Sequence, residues 1–108
     1  MPPKKPRLEW LPEAEADLVE IVDYISDDSP RAAQALKDEI EDKANKLPDH
    51  PRLYKPSMRI EGLREMIVHN NYIVFYRETP DLIEIVNVIH ARRQWPPVDE
   101  SLTRPRPD

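Results

Sequence analysis

Arg64, His90, Arg92, Arg93 and Trp95 are the residues of this sequence whose types and spacing could do chemistry. Arginine holds a carboxylate or a phosphate through a planar fork of N–H donors and stacks on aromatic faces. Imidazole titrates near physiological pH, which makes His90 the candidate for general acid or base work. The run His90-Ala91-Arg92-Arg93-Gln94-Trp95 closes a long apolar stretch, and Arg64 joins it if a neighbouring strand lies alongside. Such a cluster suits contact with a charged partner. The plainer reading makes Arg92 and Arg93 solvated charges at a strand end and Trp95 part of the core.

Other chemistries have little to work with. Cysteine is absent, which excludes disulfides, thiolate nucleophiles and Cys-ligated zinc. Gly62 is the single glycine, so no glycine-rich loop can cradle a phosphate. His50, His69 and His90 show no ligand spacing, and the acidic residues read as a solvated face; neither a metal nor a cofactor is expected. Ser26, Ser29, Ser57 and Ser101 fall in turn or terminal contexts, which suit a nucleophile poorly.

At 108 residues the chain is the size of one domain. Its net charge of −5 is unevenly spread: residues 1–10 carry +2, residues 11–50 carry −8 and residues 51–108 carry +1. The acidity therefore belongs to the first half, and a surface that grips nucleic acid throughout is not expected. No apolar run approaches the roughly 18 residues of a membrane span, so a cytoplasmic protein without membrane contact is expected.

The elements that must position the candidate cluster can be read from periodicity. Arg7-Leu8-Glu9-Trp10 alternates polar and apolar, as a short strand does. Pro12 then fits the first helical position, with Leu11, Ala14, Leu18, Ile21, Val22 and Ile25 recurring at helical spacing and Asp17, Glu20, Asp23 and Asp27 on the opposite face. Ser29 and Pro30 begin a second helix with the stripe Ala33, Leu36, Ile40, Ala44 and Leu47. Leu63 to His69, Tyr72 to Arg77 and Leu82 to His90 read as strands of an antiparallel meander, the first turn built on Asn70-Asn71. Leu82 to His90 is apolar on both faces and takes a central place beside the first strand. Residues 47–62 hold Pro48, Pro51 and Pro56 and read as an irregular crossover. The expected fold is α+β, with order β-α-α-β-β-β and a helical hairpin packed on one antiparallel four-stranded sheet. Proline clusters mark residues 1–6 as an extension and residues 96–108 as a tail, leaving a single domain over residues 7–95.

Gly62-Leu63-Arg64, the run Asn71 to Arg77 and the run Ile83 to Arg93 together resemble the sheet half of the RelE/ParE toxin superfamily, and Trp10 to Ala14 with Ile21 to Ile25 is similar to its first helix. The last segment resembles the ParE branch most. One departure is Leu11, where that superfamily usually has a Ser or Thr cap. The resemblance implies a type II toxin–antitoxin toxin, held by a small ParD-like antitoxin whose C-terminal segment lies in the groove between helical hairpin and sheet. DNA would be met only indirectly, through the antitoxin. ParE-like members poison DNA gyrase, whereas RelE-like members cut messenger RNA on the ribosome.

RNA cleavage through the 2′-OH needs a proton acceptor, a proton donor and cations on the phosphate. By resemblance, the strand position that carries a key arginine in the nuclease branch is Ile73 here, and the two upstream lysine positions are Arg64 and Met66. The nuclease alternative is left with Arg64, His90 and Arg92. The expectation is therefore a gyrase-inhibiting ParE-like toxin without enzymatic activity of its own, with Arg64, His90, Arg92, Arg93 and Trp95 contacting target or antitoxin. A non-toxic interaction module on the same fold is a third class.

Overall fold

Pro12 and Pro30 open the two helices, each at a first-turn position where a missing N–H costs no hydrogen bond. In the computed structural model, which describes residues 5–69 and 71–91, strand β1 (Arg7–Trp10) leads into α1 (Pro12–Ser26) and α2 (Pro30–Asn45). The chain then builds β2 (Arg64–Val68), β3 (Tyr72–Glu78) and β4 (Leu82–His90). Leu11 stands at the N-cap of α1 and offers no side-chain cap, but Glu13 and Glu15 place negative charge in the first turn. At α2 the Ser29 hydroxyl accepts from the Ala32 N–H at 3.1 Å.

The helical stripes meet one face of the sheet. Leu18, Ile21, Leu36, Ile40 and Leu47 pack with Met66, Val74, Tyr76, Ile83 and Ile85 in one buried cluster. Full burial of a side chain of this size contributes about 1.5–3 kcal/mol, so this layer is the main source of stability. A second, smaller cluster of Leu63, Ile73, Phe75 and Ile89 occupies the other face, with Ile60, Val86 and Ala91 against it. The two-sided apolar pattern of β4 thus corresponds to a strand with a core on both faces.

Strand order is β1-β4-β3-β2, with β4 inside the sheet as expected. β2, β3 and β4 form the antiparallel meander. One orientation differs from the all-antiparallel expectation: β1 runs parallel to β4, pairing Leu8 with Ile83 and Trp10 with Ile85, and the sheet is mixed. Polar–apolar alternation is the same read in either direction, so it fixes which side chains share a face and leaves strand direction open. The two helices and the crossover supply the long connection that parallel pairing requires.

Two local features shape the sheet's ends. The register between β3 and β4 shifts after Phe75, which faces Asn87 while Tyr76 faces Ile85, so Val86 is the extra residue of a bulge. In the turn from β2 to β3, His69 has a positive φ, at 57°, whereas Asn71 does not; Asn70, the other asparagine expected to carry the turn, lies outside the described residues. The His69 ring is tied to Glu39 of α2, an anchor that accompanies its unusual backbone. Gly62, with φ of 88°, turns the crossover into β2.

Candidate functional site

His90 ends β4 on the helix side of the sheet, half-buried, with its ring edge-on to Tyr72 at 5.0 Å between centroids. Tyr72 is its cross-strand partner, so the contact follows from register. Arg64 begins β2, and its guanidinium donates to the Tyr54 carbonyl at 2.7 Å. Arg64 faces Tyr76 on β3, whereas His90 faces Tyr72. Four residues of strand correspond to about 13 Å, and two strand spacings add roughly 10 Å sideways. Arg64 is therefore not alongside His90: the two sit at opposite ends of the sheet. Arg92, Arg93 and Trp95 lie outside the described residues.

Met66 and Ile73, the positions where the nuclease branch places cations, are both buried and point to opposite faces. Neither can touch a phosphate. Other charges of β3 and β4 are paired: Arg77 with Glu84 across the two strands at 2.8 Å, and Glu78 with Arg52 of the crossover at 3.3 Å. Tyr76 is enclosed beneath the crossover; its hydroxyl donates to the Pro51 carbonyl at 2.9 Å, and burial pushes its pKa up. Among the described residues no group of three or more His, Asp or Glu side chains is placed to hold a metal ion. Nor is any helix there long and apolar enough to cross a membrane.

Asp17 has a role its place on the polar face of α1 conceals. Parallel pairing stops at Trp10, and the Leu11 N–H makes the last bond of that edge to the Ile85 carbonyl. Beyond it, the Asp17 carboxylate accepts from the Val88 N–H at 3.0 Å and from the Asn87 side-chain amide at 2.9 Å. A side chain of α1 thus takes over the strand edge that β1 leaves open, next to the segment that ends in His90.

The space between hairpin and sheet, expected to be the antitoxin groove, is filled by the chain's own packed side chains. Exposed large apolar side chains among the described residues are Val19 and Tyr24 on α1 and a group of three beside β2. Leu53, Met58 and Ile67 are exposed and line a cavity of about 350 Å³ beside β2, together with Lys55 and Glu65. Sequence reasoning passed over these residues because Leu53 and Met58 fall in the proline-rich crossover. The available signal is that Leu53 and Met58 are large apolar side chains that belong to no helical or strand stripe. A second hollow of about 240 Å³ lies between Arg64 and Glu78.

Two helices on a four-stranded mixed sheet of this order define the fold of a solved chain from the chromosomal ParDE toxin–antitoxin system of P. aeruginosa. The match has a TM-score of 0.71 at 22% identity, covering 82% of this chain and 98% of that one. Residues 8–95 match the family described as "ParE toxin of type II toxin-antitoxin system, parDE", and the chain belongs to that family. It is 37% identical over 93 residues to "Putative toxin Y4kP" of Sinorhizobium fredii, covering 85% of this chain and 95% of that protein. It is 34% identical over 84 residues to "Toxin RelE2" of Caulobacter vibrioides, covering 78% and 93% respectively.

Proposed function

We propose that this toxin acts by binding DNA gyrase and arresting growth, without enzymatic chemistry of its own, and that a cognate ParD-like antitoxin neutralises it. The observation that carries this reading is the separation of Arg64 from His90 on the sheet, with buried Met66 and Ile73 at the remaining cation positions. General acid–base cleavage of RNA needs its groups within hydrogen-bond reach of one phosphate. Binding does not need that convergence. The working surface in this reading is the segment from His90 through Arg92, Arg93 and Trp95, where arginines meet an acidic or aromatic partner. Action on gyrase places the protein in the cytoplasm, and a linked toxin–antitoxin pair on a plasmid would stabilise its carrier.

The similarity to "Toxin RelE2" favours the second reading, a ribosome-dependent endoribonuclease using Arg64, His90 and Arg92. The two separate in purified systems. Gyrase supercoiling should stall, or cleaved DNA accumulate, on addition of the toxin; normal gyrase turnover with codon-dependent cuts in ribosome-bound mRNA would reverse the assignment. Inactivity in both, without growth arrest on induction, would leave a non-toxic interaction module. The variant Arg92→Ala/Arg93→Ala should lose toxicity while its urea midpoint stays within experimental error of the parent, since charges at a strand end contribute little to stability. Full toxicity of a well-expressed double variant would remove this patch from the proposal.

A further inference from the structure

We propose that the outer edge of β2 seats an extended, acidic peptide segment of the antitoxin, which pairs its backbone with Ile67 and sets an apolar side chain between Leu53, Met58 and Ile67. The inference rests on the toxin–antitoxin reading above and adds the place and chemistry of the contact.

β2 is an edge strand, and the crossover covers only its first half. The Ser57 N–H donates to the Leu63 carbonyl at 2.7 Å, the Glu65 N–H donates to the Lys55 carbonyl at 3.0 Å, and Pro56 bridges to Arg64. Backbone groups of alternate residues point the same way along a strand, so those of Ile67 point outward like those of Glu65. No backbone partner among the described residues meets them. The strap stops short because the Leu53 N–H turns back to the His50 carbonyl at 3.1 Å, and the gap it leaves is the cavity of about 350 Å³. Proline and lysine blunt a strand edge, and here Pro56 and Lys55 protect the first half only.

The gap is apolar and uncovered. Met58 is 98% exposed, Leu53 62% and Ile67 50%, three large hydrophobic side chains around one hollow. Contiguous exposure of this kind marks an interaction surface.

Charge selects the occupant. Residues 50–60 hold Arg52, Lys55 and Arg59 and no acid, within a chain of net charge −5. Arg52 and Arg59 pair with Glu78 and Glu65, whereas exposed Lys55 has no ion-pair partner among the described residues. An acidic segment gains from this rim. A second copy of the chain would bring the same bases together and is disfavoured.

The test uses the full-length toxin and the full-length antitoxin encoded beside it. Met58→Glu and Ile67→Lys change exposed side chains and spare the core; each should weaken the complex roughly tenfold or more, and Lys55→Glu should weaken it also. All three should still arrest growth in the absence of antitoxin. In the complex, the Ile67 amide should gain protection from hydrogen exchange. An unchanged Kd for Met58→Glu/Ile67→Lys, or an Ile67 amide that exchanges equally fast free and bound, overturns this docking site while leaving the toxin–antitoxin reading intact. A parent toxin that captures no antitoxin overturns both.

Discussion

Replacing Asp17 by Ala removes the acceptor for the Val88 N–H and the Asn87 amide at once. A buried donor left unpaired costs about 1–3 kcal/mol, so the urea midpoint of Asp17→Ala should fall accordingly. Asp17→Asn keeps a carbonyl acceptor and should lose less. Glu20→Ala, on the exposed face of the same helix, is the control, and equal losses at both positions would refute the edge-capping role. Tyr76 gives a pH signature. Burial raises its pKa, so the unfolded chain ionises first as pH climbs; the stabilisation is complete below the ordinary phenol value of about 10 and is lost as pH rises through the folded value. Tyr76→Phe should remove that alkaline decline, at a cost of about 1 kcal/mol at neutral pH for the lost bond to Pro51. A Phe variant with the parent's alkaline slope would assign the decline to other groups. At this scale the sequence is a partial guide. It singles out His90 and Arg64 as candidates by residue type, but their separation depends on register across two strand pairs. Asp17 shares a helix face with solvated acids, and only the early end of β1 gives it a partner.

Among the elements, α2 offers the cleanest test of a local rule. Ser29→Ala deletes the side-chain cap at Ala32 and should cost about 1 kcal/mol in thermal or urea unfolding, while Ser29→Asp should retain most of it. No difference between the two would mean that Pro30 alone sets the helix start. Both helices and all four strands are legible in the residues: the helices and β1 bear a clear period, three and four in Leu18, Ile21, Leu36 and Ile40 and two in Leu8 and Trp10, while β2 to β4 are rich in Ile, Val, Tyr and Phe between turn residues. The crossover bears no such period. Its strap at Lys55 to Ser57 is held by backbone bonds, which leave no mark on side-chain pattern; the half-covered edge of β2 is therefore not legible in the residues, and only the apolar Leu53 and Met58 hint at the cavity beside it. His69 is a similar case: its positive φ accompanies a contact to Glu39, thirty positions away, that no local turn rule contains.

The whole molecule is electrically lopsided, with acidic helices on one side and a basic strap at the sheet's edge. An acidic partner is repelled by one and drawn to the other, which orients the encounter. Association with the antitoxin should therefore slow as NaCl rises from about 50 to about 500 mM, and Lys55→Glu should flatten that slope in stopped-flow measurements. A rate indifferent to salt would exclude steering by the strap. The parallel pairing of β1 with β4 has a further consequence, for the order of events in synthesis. β1 leaves the ribosome early, yet its partner comes last among the described strands, so the nascent chain carries an unmatched strand until β4 has been translated. An interrupted translation product lacks the strand that anchors β1, Asp17 and the His90 segment together. The cell meets a finished poison only when the message has been read nearly to the end of the domain, and an antitoxin has no assembled sheet to grip before then.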